Sequence, residues 1–252
     1  MRAPCLLLSQ IFLALSLIAL NAPSRAQTLQ IYTQSWPPYS YEHQGSLTGY
    51  STELLQAVLQ EAGIGANYTT LSWSRAYQHA STEANTLLYT TTRTPEREDL
   101  FAWIGPIGLR KLWLFKLKER TDIQIKGVDD LKKYRVSIVR DTSSLKLVME
   151  RGLVPRNKID EAPTTASNVK KLFFKRVDLI LATNGGANYE LSQLAYAKDS
   201  IEPVYLLNDE FSLYFAINKK TEAATIEKIR LAFDKIKSSG HIETLKKKYK
   251  VD

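Results

Sequence analysis

The sequence predicts a two-lobed α/β protein, and three observations carry that reading. Short apolar and β-branched runs alternate with segments of helical periodicity for most of the length. The alternation starts afresh near residue 134, as if a second α/β unit began there. No low-complexity linker and no exact repeat separates the two series, so the lobes are expected to be joined by short crossing strands rather than by a flexible tether.

The elements follow in order. Residues 1–26 read as a secretory leader: Arg2 precedes an apolar run from Leu6 to Leu20, and Ser24 and Ala26 place small residues at the −3 and −1 positions of a cleavage site. That run is interrupted by Ser9, Gln10 and Ser16 and falls short of the ~20 apolar residues that span a bilayer, so no stable membrane insertion is expected. Residues 29–33 form the first strand, and consecutive prolines in Trp36-Pro37-Pro38-Tyr39 impose a turn. Gly45 and Gly49 mark loops, and Ser51 or Thr52 is placed to cap a helix that ends at Gly63. A strand over 67–71, a helix over 73–80 and a strand over 86–91 complete the first series. The second series has a strand at 134–139, a helix from Ser144, a helix at 168–174 and a buried strand at 177–182. A turn at Asn184-Gly185-Gly186 then precedes a helix over 188–197. A strand at 211–217 leads to helices over 225–237 and 242–250. Those last helices have no sheet of their own to cover, so they are expected to return to the first. The expected division is 27–108 plus 213–252 for lobe 1 and 109–212 for lobe 2.

Composition excludes several classes. The one cysteine, Cys5, lies inside the leader and away from its cleavage point, so neither a disulfide framework, a thiol nucleophile nor a lipid-modified N-terminal cysteine is expected in the mature chain. The net charge of +8 drops by two when Arg2 and Arg25 leave with the leader. Many lysines sit at helix ends and in the tail around Lys246, Lys247, Lys248 and Lys250, as on a solvated face, and no basic and aromatic interleaving points to nucleic acid. His43, His79 and His241 fall in no metal-ligand spacing, so neither a metal nor another cofactor is expected.

The order of segments resembles the bacterial extracellular solute-binding proteins of family 3, which deliver amino acids and similar small polar solutes to ABC importers. The carriers are the W-P-P-Y turn with L-T-G-Y-S-T-E-L-L up to residue 55, T-x-T-x-T-P-E-R at 90–97 followed by F-A-W-I-G-P, V-D-D-L-K-K-Y-R-V-S-I-V-R-D-T-S-S at 128–144, and K-R-V-D-L-I-L-A-T at 175–183. The resemblance implies a type II periplasmic-binding-protein-like fold with a central cleft between lobes. It further implies a periplasmic location, a small-molecule ligand, an ABC importer permease as partner, and a monomer.

The resemblance also points to site residues. Thr90 and Thr92 place two hydroxyls on one side of a strand end, and Arg97 offers a bidentate fork to a carboxylate. Arg93 competes with Arg97 for that role, and a surface ion pair with Glu96 or Glu98 is the plainer alternative for Arg97. Trp36 stands where the family stacks an aromatic on its ligand; Trp73 and Tyr39 are further candidates, whereas Trp103 matches a core position. Thr142 and Ser143 belong to a strand-to-helix loop that either reaches a carboxylate or caps its helix. Thr183 departs from the family: amino-acid binders commonly place a carboxylate there for the ligand's ammonium, and Asp141 or Glu210 would have to substitute. An α-amino acid is therefore in doubt, and a carboxylate-bearing polar solute is the expected ligand. A binding protein is expected, not an enzyme; a dehydratase-type enzyme using Glu190, Asp141 or Glu210 and a stand-alone sensor are the alternatives on this fold.

Overall fold

The computed structural model describes residues 28–251; the leader and Cys5 lie outside the described residues. The first strand, β1 (Thr28–Thr33), buries every second residue and leads through the W-P-P-Y turn to a hairpin of β2 (Tyr41–His43) and β3 (Ser46–Thr48). Helix α1 (Tyr50–Ala62) is capped by Gly49 rather than by a hydroxyl; Ser51 and Thr52 are buried in its first turn, where Thr52 meets the Tyr89 hydroxyl at 3.0 Å. Gly49 has φ of +117°, and a Cβ there would stand 2.5 Å from the Tyr39 carbonyl, so only glycine fits. Then come β4 (Gly65–Thr70), α2 (Trp73–Thr82), β5 (Thr86–Thr92) and β6 (Phe101–Leu117). The second series is β7 (Val136–Val139), α3 (Ser143–Glu150), β8 (Ile159–Ala162), α4 (Thr165–Phe173), β9 (Leu179–Ala182) and α5 (Asn184–Gln193). The chain closes with β10 (Ile201–Asn218), α6 (Ala223–Ser238) and α7 (His241–Tyr249).

One eight-stranded sheet runs in the order β4-β1-β5-β10-β6-β9-β7-β8. β1 is parallel to β4 and β5, and β7 is parallel to β8 and β9. Between these blocks, β6 and β10 pair antiparallel along their lengths. The molecule is a two-lobed periplasmic-binding-protein-like α/β fold, with apolar cores on either side of that ribbon. Two clusters draw on residues between Leu29 and Ile107 and between Leu213 and Val251, and helices α6 and α7 pack on α1 there. The other two draw on residues between Leu112 and Phe211.

Two further local expectations change. The crossing strands are long, 17 residues in β6 and 18 in β10. Gly105, Pro106 and Gly108 in one and Pro203, Asp209 and Glu210 in the other break the alternation that marks a strand, and the pairing absorbs them as register shifts, for instance between Asn208 and Phe211. The segment Asn184-Gly185-Gly186 is not a turn but the first turn of α5, because the Thr183 hydroxyl accepts from the Gly186 amide at 3.2 Å. These glycines serve close packing. A Cβ on Gly185 would stand 3.2 Å from Pro38 Cδ, and one on Gly186 would stand 3.7 Å from the Trp36 ring nitrogen.

Candidate functional site

Where the parallel strands of both lobes end, the chain encloses a cavity of about 440 Å³. On one side it is walled by Gln34–Pro37 after β1 and by Leu71–Ser74 at the start of α2. On the other it meets the starts of α3, α4 and α5. Each of those three helices is capped by a threonine: Thr142 accepts from the Leu145 amide, Thr164 from Ser167 and Thr183 from Gly186. Three helix N-termini, each with a partial positive charge, therefore converge on one cavity. This is the crevice at the carboxyl ends of strands where α/β proteins hold ligands.

The buried charge in the wall is Arg110, on β6, only 7% exposed, whereas Arg140, which also lines the cavity, is exposed. Its Nη1 donates to Thr92 Oγ1 at 3.1 Å and to Ser143 Oγ at 2.7 Å, and Nη2 donates to Ser144 Oγ at 2.5 Å. Its Nε has no acceptor, and no carboxylate pairs with it among the described residues. The guanidinium lies 5.2 Å over the Trp36 ring, a cation–π contact. Burial pushes its pKa down to about 10, with the nearby Arg97 charge acting in the same direction and Tyr39 opposing it, so Arg110 is still a cation at neutral pH.

The residues singled out from sequence differ in where the fold places them. Trp36, Trp73, Thr142 and Thr183 line the cavity. Thr92 and Ser143 hold Arg110 from opposite sides. Tyr39 stands behind Trp36, ring centroids 5.0 Å apart, buried against Tyr50. Thr90 is buried at the end of β5 with φ of +59° and a hydroxyl that has no partner among the described residues. Arg97 is outside the cavity lining: it donates to the Thr92 carbonyl at 3.0 Å and lies 5.0 Å over Trp73 and 5.1 Å over Tyr77. Arg93 is bonded through Nε and Nη2 to Glu98 and covers Trp103, which packs on Phe101 and Tyr214.

Sequence reasoning missed Arg110 altogether. It sits three residues after Ile107, in a stretch broken by Gly105, Pro106 and Gly108, and nothing in its neighbours marks it as inward-facing. Among the acids, Asp141 is exposed at φ of +60° and accepts from Ser74 at 3.0 Å, linking α2 to the start of α3. Glu210 is exposed beside Asn208 and does not line the cavity. Glu190 lines it half-buried, and burial raises its pKa against the pull of Lys170. Among the described residues no cluster of His, Cys, Asp and Glu would hold a metal ion.

The family model of the bacterial extracellular solute-binding proteins, family 3, matches residues 29–252. The chain belongs to that family. It is 23% identical over 218 residues to the probable amino-acid-binding protein YxeM of Bacillus subtilis (strain 168), covering 84% of this chain and 79% of that protein. This family 3 protein also shares its fold with a histidine kinase sensor domain similar to periplasmic binding proteins, at a TM-score of 0.79 and 19% identity over 89% of this chain and 96% of the other. The substrate-binding protein of an amino acid ABC transporter superposes with a TM-score of 0.74 at 16% identity, over 88% and 98% of the two chains. Among the described residues of the family member, no helix is long and apolar enough to cross a membrane.

Proposed function

We propose that this chain is an exported binding protein that captures a small, carboxylate-bearing, amino-acid-like solute between its lobes and delivers it to an ABC importer. The observation that carries this reading is Arg110. A buried guanidinium without a counter-charge costs several kcal/mol unless hydrogen bonds and an anion compensate it. Here three hydroxyls orient the fork and leave Nε facing no acceptor. A carboxylate supplies the missing charge, the convergent helix N-termini favour the same sign, and Trp36 and Trp73 supply apolar walls. The anion role that the resemblance gives to Arg97 passes in this reading to Arg110.

The same contact supports closure. Thr92 belongs to the 27–108 part and Ser143 and Ser144 to the 109–212 part of the expected division, so an anion on Arg110 favours the arrangement that brings both together. The relative named as amino-acid-binding and the importer protein of like fold support the solute class and the destination. The leader read at 1–26 supports export to the periplasm. A thermal-shift screen of amino acids, dicarboxylates, amines and sugars tests the reading: carboxylates should raise the melting temperature, and stabilisation by amines or sugars alone would contradict it.

A dehydratase-type activity is the second reading, favoured by Glu190, a half-buried carboxyl group with a raised pKa in the cavity wall. Incubation with prephenate tests it; the binding-protein reading expects no turnover.

A further inference from the structure

We infer that Glu190 reads a cationic group on the ligand, set apart from the anionic group held at Arg110, so that the cavity selects solutes whose opposite charges are several ångströms apart. This rests on the anion role proposed for Arg110.

The geometry runs along α5. Arg110 lies over Trp36, and the Trp36 ring nitrogen abuts Gly186 in the first turn of that helix. Glu190 is four residues further on, on the same helix face, and about 6 Å along the axis at the usual rise per residue. Glu190 thus lines the cavity about one helical turn beyond the point where Trp36, the aromatic under Arg110, meets α5. An α-ammonium lies beside its own carboxylate, at the Arg110 and Trp36 end of the cavity. The cation that Glu190 meets is carried on the ligand's far end.

Glu190 is also uncommitted. Its carboxylate makes no hydrogen bond and no ion pair among the described residues, and the charge acting on it comes from Lys170 on the neighbouring helix α4. Asp141, the other acid of the lining, is exposed and already accepts from Ser74. Thr183 spends its hydroxyl on the cap of α5. A half-buried carboxylate with no structural partner carries a desolvation cost that a ligand cation repays. The class of ligand is then a basic amino acid or an ω-amino acid, in preference to an amino acid with an apolar side chain.

The test is calorimetric titration of the full chain, freed of carried-over ligand by unfolding and refolding, with four six-carbon probes: L-lysine, 6-aminohexanoate, L-norleucine and hexanoate. The native protein should bind the first two at least tenfold more tightly than the last two. Glu190→Gln should bring that preference below twofold, Glu190→Asp should restore part of it, and Arg110→Ala should weaken all four. Equal affinity of the native protein for L-lysine and L-norleucine overturns the inference without any variant. A preference that survives Glu190→Gln overturns it too, and in either case binding that still needs Arg110 leaves the carboxylate reading standing. Failure of every probe to bind overturns the inference, while a carboxylate that the thermal screen finds and that needs Arg110 leaves the carboxylate reading standing.

Discussion

The Arg110 guanidinium lies 5.2 Å over the ring of Trp36, a cation held against an aromatic face with no carboxylate among the described residues to balance it. In the ligand-free protein that arrangement is a cost. Replacing even a buried ion pair by apolar groups of similar volume is commonly neutral or stabilising by about 1–4 kcal/mol, and a buried charge without a counter-charge has less attraction to lose. Arg110→Met should therefore hold or raise the melting temperature of the empty protein while removing its response to carboxylates. A melt in which Arg110→Met is markedly destabilised would show that the three hydroxyl contacts outweigh the burial of charge.

Gly186 gives a prediction of sign. Alanine in a helix is ordinarily better than glycine by about 1 kcal/mol. A Cβ at this position would stand 2.9 Å from the Thr183 hydroxyl that caps the helix. Gly186→Ala should therefore show no gain in chemical denaturation, and a gain near the full helix propensity would mean that the cap yields without cost.

The Glu190 carboxyl group is held above its ordinary pKa by burial, with Lys170 pulling it down. The folded state then favours the protonated form, so the contribution of Glu190 to stability is highest below the ordinary glutamate pKa and is lost as pH rises through the raised folded value. Glu190→Gln should match the native protein near pH 4 and become the more stable of the two by pH 7. Melts across that range check it; a difference that is constant with pH would contradict it.

Much of the fold was legible because strand and helix periodicities are local. β1, α1, β5 and α6 all stand within a few residues of where the apolar pattern puts them, and Thr142 and Thr183 sit at strand ends that lead into helices. What was not legible depends on pairing between distant segments. β6 and β10 are strands because each completes the other over residues whose glycines, prolines and acids deny the pattern. Gly185 and Gly186 read as a turn because the sequence does not reveal that Pro38 and Trp36 will press against them. The same blindness hid Arg110, whose partners Thr92, Ser143 and Ser144 lie 18 to 34 residues away.

Lys146 on α3 pairs with Glu96 at 2.8 Å, joining segments of the two expected lobes, and both side chains are about half exposed. Exposed pairs contribute about 0–1 kcal/mol. Lys146→Ala should change ligand affinity by less than about fivefold, which titration would show. A larger loss would place part of the closure energy at this surface pair.

The contrast between Arg110 and Arg97 tests the central claim most directly, because one arginine lines the cavity and the other stands outside it on Trp73 and Tyr77. Titrating the native protein, Arg110→Ala and Arg97→Ala with the best carboxylate ligand of the thermal screen should show a loss of about 1.5–3 kcal/mol or more for Arg110→Ala, the range for a hydrogen bond to a charged group. Arg97→Ala should lose clearly less. A full loss with Arg97→Ala and native affinity with Arg110→Ala would contradict the account.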